Sequence, residues 1–413
     1  MANLILPPTL EAEDKIRLIQ DSARFDIADA SELTADEIAD LETIRAPHTP
    51  PTVPKVGLSN DCIFNCSYCS CRAGLECRRR YTCTLRELAE IAVQSAKNNP
   101  TMGVFVTSGI YKNADYTEEL IVETLRIMRQ ELRYSGYIHA KIMPGADPEL
   151  IERAGWLADR LSVNIELPHS EGYAVIAKQK NKTNILTPMG EISRRVRNHA
   201  GEINAAGRRF ARSGQTTQMI VGAMKETDRT AMTLSAALYR KYRLRRVYYS
   251  PFHLPRSSHF DFFPEENTPH WRTRRLYQAD RLVQLYGFTV EELLPEEEPN
   301  FPFDLDPKAV WAMRHLDQFP VEVNTADYEM LLRVPGIGVT YAKRILQARR
   351  LHVLTHDLLR KIGVSLKRCR YFITCNGKYT GGRLLDSPAL RPMISDVASQ
   401  TRLFGPLPNA NAS

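Results

Sequence analysis

No run of 18 or more apolar residues occurs in this 413-residue chain, so a long apolar helix crossing a membrane is excluded. The first residues, MANLILPPTLEAEDK, have neither a basic start nor a long apolar stretch ending in a small-residue cleavage site. A soluble, cytoplasmic protein without a membrane partner is therefore expected. Cysteine is scarce outside one window: six of the eight fall between Cys62 and Cys83, which points to metal or redox chemistry and away from a disulfide scaffold. Acid is nearly missing from residues 331–375, where 10 basic groups face the single acid Asp357, a local net charge of +9 against +7 for the whole chain. Residues 1–47 show the reverse, with 11 acidic and 4 basic groups. A solvated helical face would also be basic, but asymmetry this local favours a polyanion partner. The 43% of hydrophobic residues is ordinary for a globular chain, and the length suits one large domain plus a smaller one.

From about Val53 to Leu254, short β-rich apolar runs alternate with longer amphipathic stretches, the pattern of β/α units around a parallel sheet. Six strands are expected, at 55–59, 103–108, 137–142, 161–167, 216–222 and 246–250. Helices are expected between them at 84–98, 117–132, 147–155, 191–207 and 228–242. Thr84 and Thr117, each followed three residues on by a glutamate, have the form of helix N-caps with capping boxes. Six units in this length predict a partial (β/α)6 barrel, with a doubly wound open sheet as the alternative from pattern alone. Residues 256–317 hold a loop, a helix near 272–286 and the acid- and proline-rich linker LPEEEPNFPFDLDP. Residues 1–49 are expected to form a helical extension, periodic from Ile27 to Ala46, and the tail at 376–413 to end in a disordered LPNANAS. No internal repeat beyond the β/α alternation is evident.

Cys62, Cys66 and Cys69 stand at C-x3-C-x2-C immediately after the first expected strand. A short loop of this kind lets three thiolates reach three corners of one iron–sulfur cubane, leaving the fourth iron without a protein ligand. An open iron suits inner-sphere chemistry, because an amine and a carboxylate of one substrate can chelate it. The competing readings are a zinc knuckle with Cys71 as fourth ligand, which needs four ligands within ten residues, and unbound thiols. Cys71, Cys77 and Cys83 supply no recognised four-ligand set for an auxiliary cluster, and Cys369 and Cys375 lie too far along the chain to assign.

With an aromatic, Tyr68, before the last cysteine, this motif at the end of strand one of a β/α series resembles the radical S-adenosylmethionine (SAM) superfamily. The resemblance implies a [4Fe–4S] cluster on Cys62, Cys66 and Cys69, SAM on the open iron, a low-potential electron donor, and reductive cleavage to a 5′-deoxyadenosyl radical. It further implies that Ser108 and Gly109, ending strand two, contact the SAM amine, although the family's second glycine and acid are missing there. Asn164 and Glu166 on strand four correspond to the ribose contacts, Gly222 to the segment along the adenine, and Tyr68 to an edge of that site. A buried polar pair that merely stabilises the barrel would give the same Asn164 and Glu166 pattern. His139, Lys141, His169 and Glu171 sit on or after strands three and four with no role assigned.

A second signal lies at Leu331-Leu332-Arg333-Val334-Pro335-Gly336-Ile337-Gly338, continuing to Ile345. It resembles the helix-hairpin-helix motif, in which a Pro-Gly-Ile-Gly turn joins two short helices and backbone N–H groups hold a phosphate oxygen. Gly336, Ile337 and Gly338 would supply the turn, and Lys343, Arg344, Arg349 and Arg350 charge for the same phosphate backbone. A degenerate second hairpin is expected at Leu359–Val364. Such contacts grip phosphates without reading bases, so the module, placed at 318–375, implies DNA or RNA as partner; a hairpin used only for packing is the alternative. Barrel (50–255) and hairpin together resemble the family of DNA modification and repair radical SAM proteins. Two other readings stay open: a non-catalytic iron–sulfur protein that binds nucleic acid or senses redox state, and a radical SAM enzyme acting on a protein or small molecule.

Overall fold

The computed structural model describes residues 53–73, 80–98, 103–253, 264, 266–382, 385 and 388–397. The helix expected at 27–46, Cys77, most of the loop after Leu254 and the terminal LPNANAS lie outside the described residues. Two compact units divide the rest: residues up to 226 with 237–268, and 227–236 with the chain from 269 onward.

In the first unit six strands form one parallel sheet: β1 (Lys55–Gly57), β2 (Gly103–Thr107), β3 (Tyr137–Lys141), β4 (Arg160–Ser162), β5 (Gln215–Val221) and β6 (Arg246–Pro251). They lie in the spatial order β1-β2-β3-β4-β5-β6, every neighbouring pair parallel. A doubly wound sheet reverses its order at a switch point, and this one never does. Its first and last strands are not paired among the described residues, so the sheet is an open, partial (β/α)6 barrel.

The connecting helices are α1 (Leu85–Lys97), α2 (Ala114–Arg126), α3 (Pro148–Leu157), α4 (Glu171–Ile176), α5 (Lys182–Asn198) and α6 (Asp228–Tyr242). Thr84 caps α1 by accepting from the Glu87 N–H at 3.2 Å. Thr117 is not a cap: Asn113 starts α2, its Oδ1 accepting from the Tyr116 N–H at 2.8 Å. The Thr117 hydroxyl instead binds back to the Asn113 and Tyr111 carbonyls from inside the first turn. Helix α5 begins nine residues before the expected start at 191 and ends at Asn198. Its cap is a reciprocal Asn181–Asn184 box, which lacks the Ser/Thr and Glu of the usual signature, and Pro188 inside the helix further blurs the pattern. Regular β4 stops at Ser162, short of the expected 167: the Thr217 hydroxyl stands in for the ladder, accepting from the Ile165 N–H at 2.8 Å and donating to the Val163 carbonyl at 2.7 Å, and Glu166, at a left-handed φ of 62°, keeps only an isolated bridge to Met219.

The two faces of the sheet follow from one side chain. Gln215 donates Nε2 to the carbonyls of Met189 in α5 and Tyr242 in α6, so alternate residues from Gln215 face the helices. Thr216, Gln218 and Ile220 therefore point to the concave side. Register extends this face to Ser162, Lys141 and His139, to Phe105 beside His139, and to Tyr248 beside Gln218.

The second unit holds α7 (His270–Leu285), α8 (Pro307–Arg314), α9 (Tyr328–Arg333), α10 (Val339–Ala348), α11 (His356–Lys361) and α12 (Leu366–Cys369). It is not all helical as expected, since β7 (Val321–Glu322), β8 (Ile373–Cys375) and β9 (Lys378–Tyr379) form a three-stranded sheet. Glu322 secures the return of the chain: its carboxylate accepts from the N–H groups of Asn324, Asn376 and Gly377, at 3.0, 3.0 and 2.8 Å. Among the described residues no helix is long and apolar enough to cross a membrane.

Candidate cysteine centre and hairpin module

The segment after β1 is tied down on three sides. The Ser67 N–H donates to the Ile176 carbonyl at 2.8 Å, the Ile63 N–H to Ile110 at 2.8 Å, and the Cys69 N–H to Cys66 at 2.9 Å. Arg80 gathers the carbonyls of Asn60, Cys71 and Arg72 at 2.6, 2.8 and 2.5 Å, closing the ends of the segment on one guanidinium. Gly109 lets the strand-two end approach, because a Cβ there would lie 3.0 Å from the Cys62 Cβ and 3.1 Å from the Ser59 carbonyl. Beside it, the Ser108 hydroxyl donates to the Gly109 carbonyl at 2.6 Å.

Backbone donors point at the sulfurs. Phe64 and Ile110 N–H groups reach Cys62 Sγ at 3.4 and 3.3 Å, and the Cys71 N–H reaches Cys69 Sγ at 3.3 Å. A hydrogen bond from the Cys71 side chain draws the Cys69 thiol down to about 6, whereas burial pushes Cys66 up to about 11 and raises Cys62 as well. Lys180 lies within electrostatic reach of all three and favours each thiolate. This lysine, in the connection between α4 and α5, escaped the sequence reading. Its Nζ donates to Glu166 Oε1 at 2.6 Å and to the Tyr68 hydroxyl at 3.2 Å, and lies 5.8 Å from the centre of the Tyr68 ring. Only the spacing of lysine and glutamate in the fold, 14 residues apart and outside any helix register, makes the pair visible.

The structure thus gathers Tyr68, Glu166 and Lys180 beside Cys66 and Cys69. Asn164 is buried at the end of the same strand path. Gly222 is fixed by its own surroundings: φ is 91°, a Cβ would fall 1.8 Å from Thr268 Oγ1, and the N–H donates to the Glu226 carboxylate. Among the described residues no group of three or more Cys, His, Asp or Glu side chains is close enough to hold a single metal ion. Thiols with N–H donors and a neighbouring cation fit an iron–sulfur cluster chemically.

In the second unit, α9 and α10 flank the turn Val334–Gly338. Leu331, Leu332, Val334, Ile337, Ala342 and Ile345 are all buried, which forms the apolar seam of the hairpin. Ile337 is therefore a peg in that seam, and its N–H is held within the turn, donating to the Val334 carbonyl at 3.1 Å. Gly336 has φ 86°, and Gly338 caps α10 in extended conformation. The buried Lys308 ammonium donates to the Leu332 and Ile337 carbonyls at 3.2 and 2.6 Å, bracing the turn from behind. Lys343 is exposed on α10. Arg344 donates to the Ile362 carbonyl at 3.2 Å and Arg349 to the Val323 and Ala326 carbonyls at 3.2 and 2.5 Å, so both hold the module together.

Residues 359–364 span the end of α11 and the start of the turn that leads into α12. Leu-Leu-Arg at 331–333 recurs at 358–360, and Gly363, at φ 85°, repeats the conformation of Gly336 at the position expected for the degenerate second hairpin. The two turns pack reciprocally: a Cβ at Gly336 would meet the Cys369 nitrogen at 3.3 Å, and one at Gly363 would meet Arg344 Nη1 at 2.9 Å. Arg360, Ser365, Lys367 and Arg370 border an open cavity of about 430 Å³ at the second turn.

Residues 317–357 match the family model of the helix-hairpin-helix motif. No curated protein matches the chain. Among solved structures, a crystal structure of HydG, a maturase of the [FeFe]-hydrogenase, aligns at 14% identity and TM-score 0.44, covering 66% of this chain and 62% of that one. The FeFe-hydrogenase maturase HydG from Carboxydothermus hydrogenoformans aligns at 16% identity and TM-score 0.42, covering 66% and 64%. The chain thus spans less than two thirds of the length of these structures.

Proposed function

We propose that this chain is a radical SAM enzyme acting on nucleic acid, with Cys62, Cys66 and Cys69 holding a [4Fe–4S] cluster and the hairpin module holding the phosphate backbone. The observation that carries the reading is the meeting, at the C-terminal end of β1, of three thiols, N–H donors aimed at two of their sulfurs, and the Lys180 cation. In a β/α barrel that end of the strands is where chemistry is done. When bound, the cluster supplies the electron for reductive cleavage of SAM. The chain's part is to hold and orient: Ser108 and Gly109 beside the amine, Asn164 and Glu166 at the ribose, Gly222 and Tyr68 along the adenine. The hairpins grip phosphates through the backbone of Gly336–Gly338 and the charge of Lys343, independent of base sequence.

A second reading is favoured by one contact. Cys71 is buried and its thiol hydrogen-bonds Cys69, which places a fourth sulfur beside the triad and would suit a structural or redox-sensing cluster with no open iron. Anaerobic reconstitution separates the two. The proposed enzyme takes up about four irons per chain, loses them in Cys62→Ala, Cys66→Ala and Cys69→Ala, keeps them in Cys71→Ala, and releases 5′-deoxyadenosine with reductant and SAM. Stoichiometric zinc without iron defeats both readings; iron lost in Cys71→Ala, with no SAM cleavage in the parent, selects the second.

A further inference from the structure

In a packed β/α barrel the inner face is filled by layers of branched apolar side chains. Here the concave face carries Phe105, His139, Lys141, Ser162, Thr216, Gln218 and Tyr248 on five adjacent strands. Three of these stand out. His139, Ser162 and Thr216 are 1%, 4% and 0% exposed, and both ring nitrogens of His139, Ser162 Oγ and Thr216 Oγ1 find no hydrogen-bond partner among the described residues. Ser162 and Thr216 are register partners, and His139 precedes Lys141, the register partner of Ser162, by one pleat. Folded chains seldom leave buried polar atoms unmet, because each forfeits its hydration for nothing. Three such side chains on neighbouring strands, aimed at the same side, describe one site whose partner comes from outside the chain.

We propose that His139, Ser162 and Thr216 form a subsite for a nucleobase on the concave face of the sheet. The hydrogen-bonding complement selects this class. Burial, with help from the Arg160 and Lys141 charges, keeps the His139 imidazole neutral, so it offers one donor and one acceptor, and each hydroxyl can serve as either. An anion presents acceptors alone and would leave the imidazole lone pair unmet. The edge of a base presents donors and acceptors together. The Phe105 ring, its centroid 4.5 Å from that of His139, adds an apolar flank suited to a flat heterocycle. The inference rests on the nucleic-acid reading above and deepens it: a base inside a duplex cannot reach a concave sheet face, so it enters unstacked.

The test needs no iron. The full chain is titrated with each of the four deoxynucleosides to millimolar concentration, binding being followed by ligand NMR, alongside thermal melts without ligand. One or more nucleosides saturate a single site, and Ser162→Ala, Thr216→Val and His139→Phe each weaken that binding by about fivefold or more. The melting temperature of Ser162→Ala and Thr216→Val stays level or rises, because each removes a buried polar atom that lacks a partner in the free protein. Failure of every nucleoside to saturate, or binding indifferent to all three substitutions, overturns the subsite. So does a fall in melting temperature for both hydroxyl variants, which would mark the groups as structural and held by ordered water. Nucleoside binding in a chain without DNA affinity keeps the subsite and removes delivery by the hairpins; DNA affinity without nucleoside binding does the reverse.

Discussion

Around the cysteines charge is inside the fold, and on the hairpins it is outside. The side chains of Lys180 and Glu166 are 10% and 5% exposed and paired at 2.6 Å, whereas Lys343 stands in solvent over a seam made of Leu331, Ile337, Ala342 and Ile345. A buried ion pair forfeits hydration on both partners and is secure only while both are present. An exposed cation loses little on folding and acts on a ligand at a distance set by salt. The first arrangement fixes a small site in place; the second recruits a long polyanion without fixing it.

That contrast breaks first at Lys180. Lys180→Met leaves the Glu166 carboxylate buried without its cation, and Glu166→Gln leaves the ammonium without its counter-charge, each costing about 3–5 kcal/mol of stability. The double variant recovers much of the loss, so a urea-melt cycle shows strong non-additivity. Additive losses would mean that the pair is not the closed unit described here. Changes in iron uptake are read separately, since a variant that folds but takes up less iron shows the cation acting on the thiols themselves.

Buried charge also leaves a mark on pH dependence. Glu118 is fully buried in α2, one oxygen accepting from the Met143 N–H at 2.8 Å and the other without a partner among the described residues, and burial pushes its carboxyl from 4.5 up to about 8. The folded state therefore holds the proton more tightly than the unfolded state across that window. Stability contributed by the protonated form is full below the lower value and is lost as pH rises toward 8, by up to roughly 1.4 kcal/mol per unit. Glu118→Gln keeps the acceptor for Met143 and flattens this slope, so the variant is the more stable protein above pH 8. Parallel slopes in the two proteins would place the proton elsewhere.

How much of each region could be read beforehand follows from the range of its contacts. The hairpin lies within some fifteen consecutive residues and depends on glycines and a leucine seam, so Gly336, Ile337 and Gly338 were legible as a unit. The β/α alternation was equally local, and it located all six strands. The cysteine spacing showed where a cluster could bind, but its electrostatic partner Lys180 sits 112 residues beyond Tyr68 and has no spacing to announce it. The concave polar face was hidden for another reason. His139, Ser162 and Thr216 become neighbours only through sheet register, which no single segment encodes. Charge alone also does not show that the Arg344 and Arg349 guanidinium groups reach carbonyls of their own module.

The hairpin turns sharpen the comparison at smaller scale, since their requirement is for backbone and not for charge. Gly336→Ala and Gly363→Ala force a Cβ into φ of 86° and 85°, costing about 1–2 kcal/mol each. Gly336→Ala is the costlier, because its Cβ meets the Cys369 backbone nitrogen, whereas the obstacle at Gly363 is the end of the flexible Arg344 side chain. Thermal melts rank them directly, and equal shifts would show that conformational strain alone, and not the reciprocal packing, sets the penalty.

The smallest expected change in stability is the most telling for function. Lys343→Ala removes an exposed charge from α10 and should leave the melting transition within about 0.5 kcal/mol of the parent. If Lys343 meets one phosphate, DNA binding weakens to a similar degree for unrelated sequences, and the slope of log affinity against log salt shrinks by about one. Arg349→Ala is the matched control: its guanidinium is spent on the Val323 and Ala326 carbonyls, so it should lower stability while leaving the salt slope of the folded fraction alone. The pair of variants thus separates a cation that serves the ligand from one that serves the fold. A salt slope unchanged by Lys343→Ala, in protein shown to be folded, removes that residue from the interface; no salt-dependent DNA binding in the parent removes the interface itself.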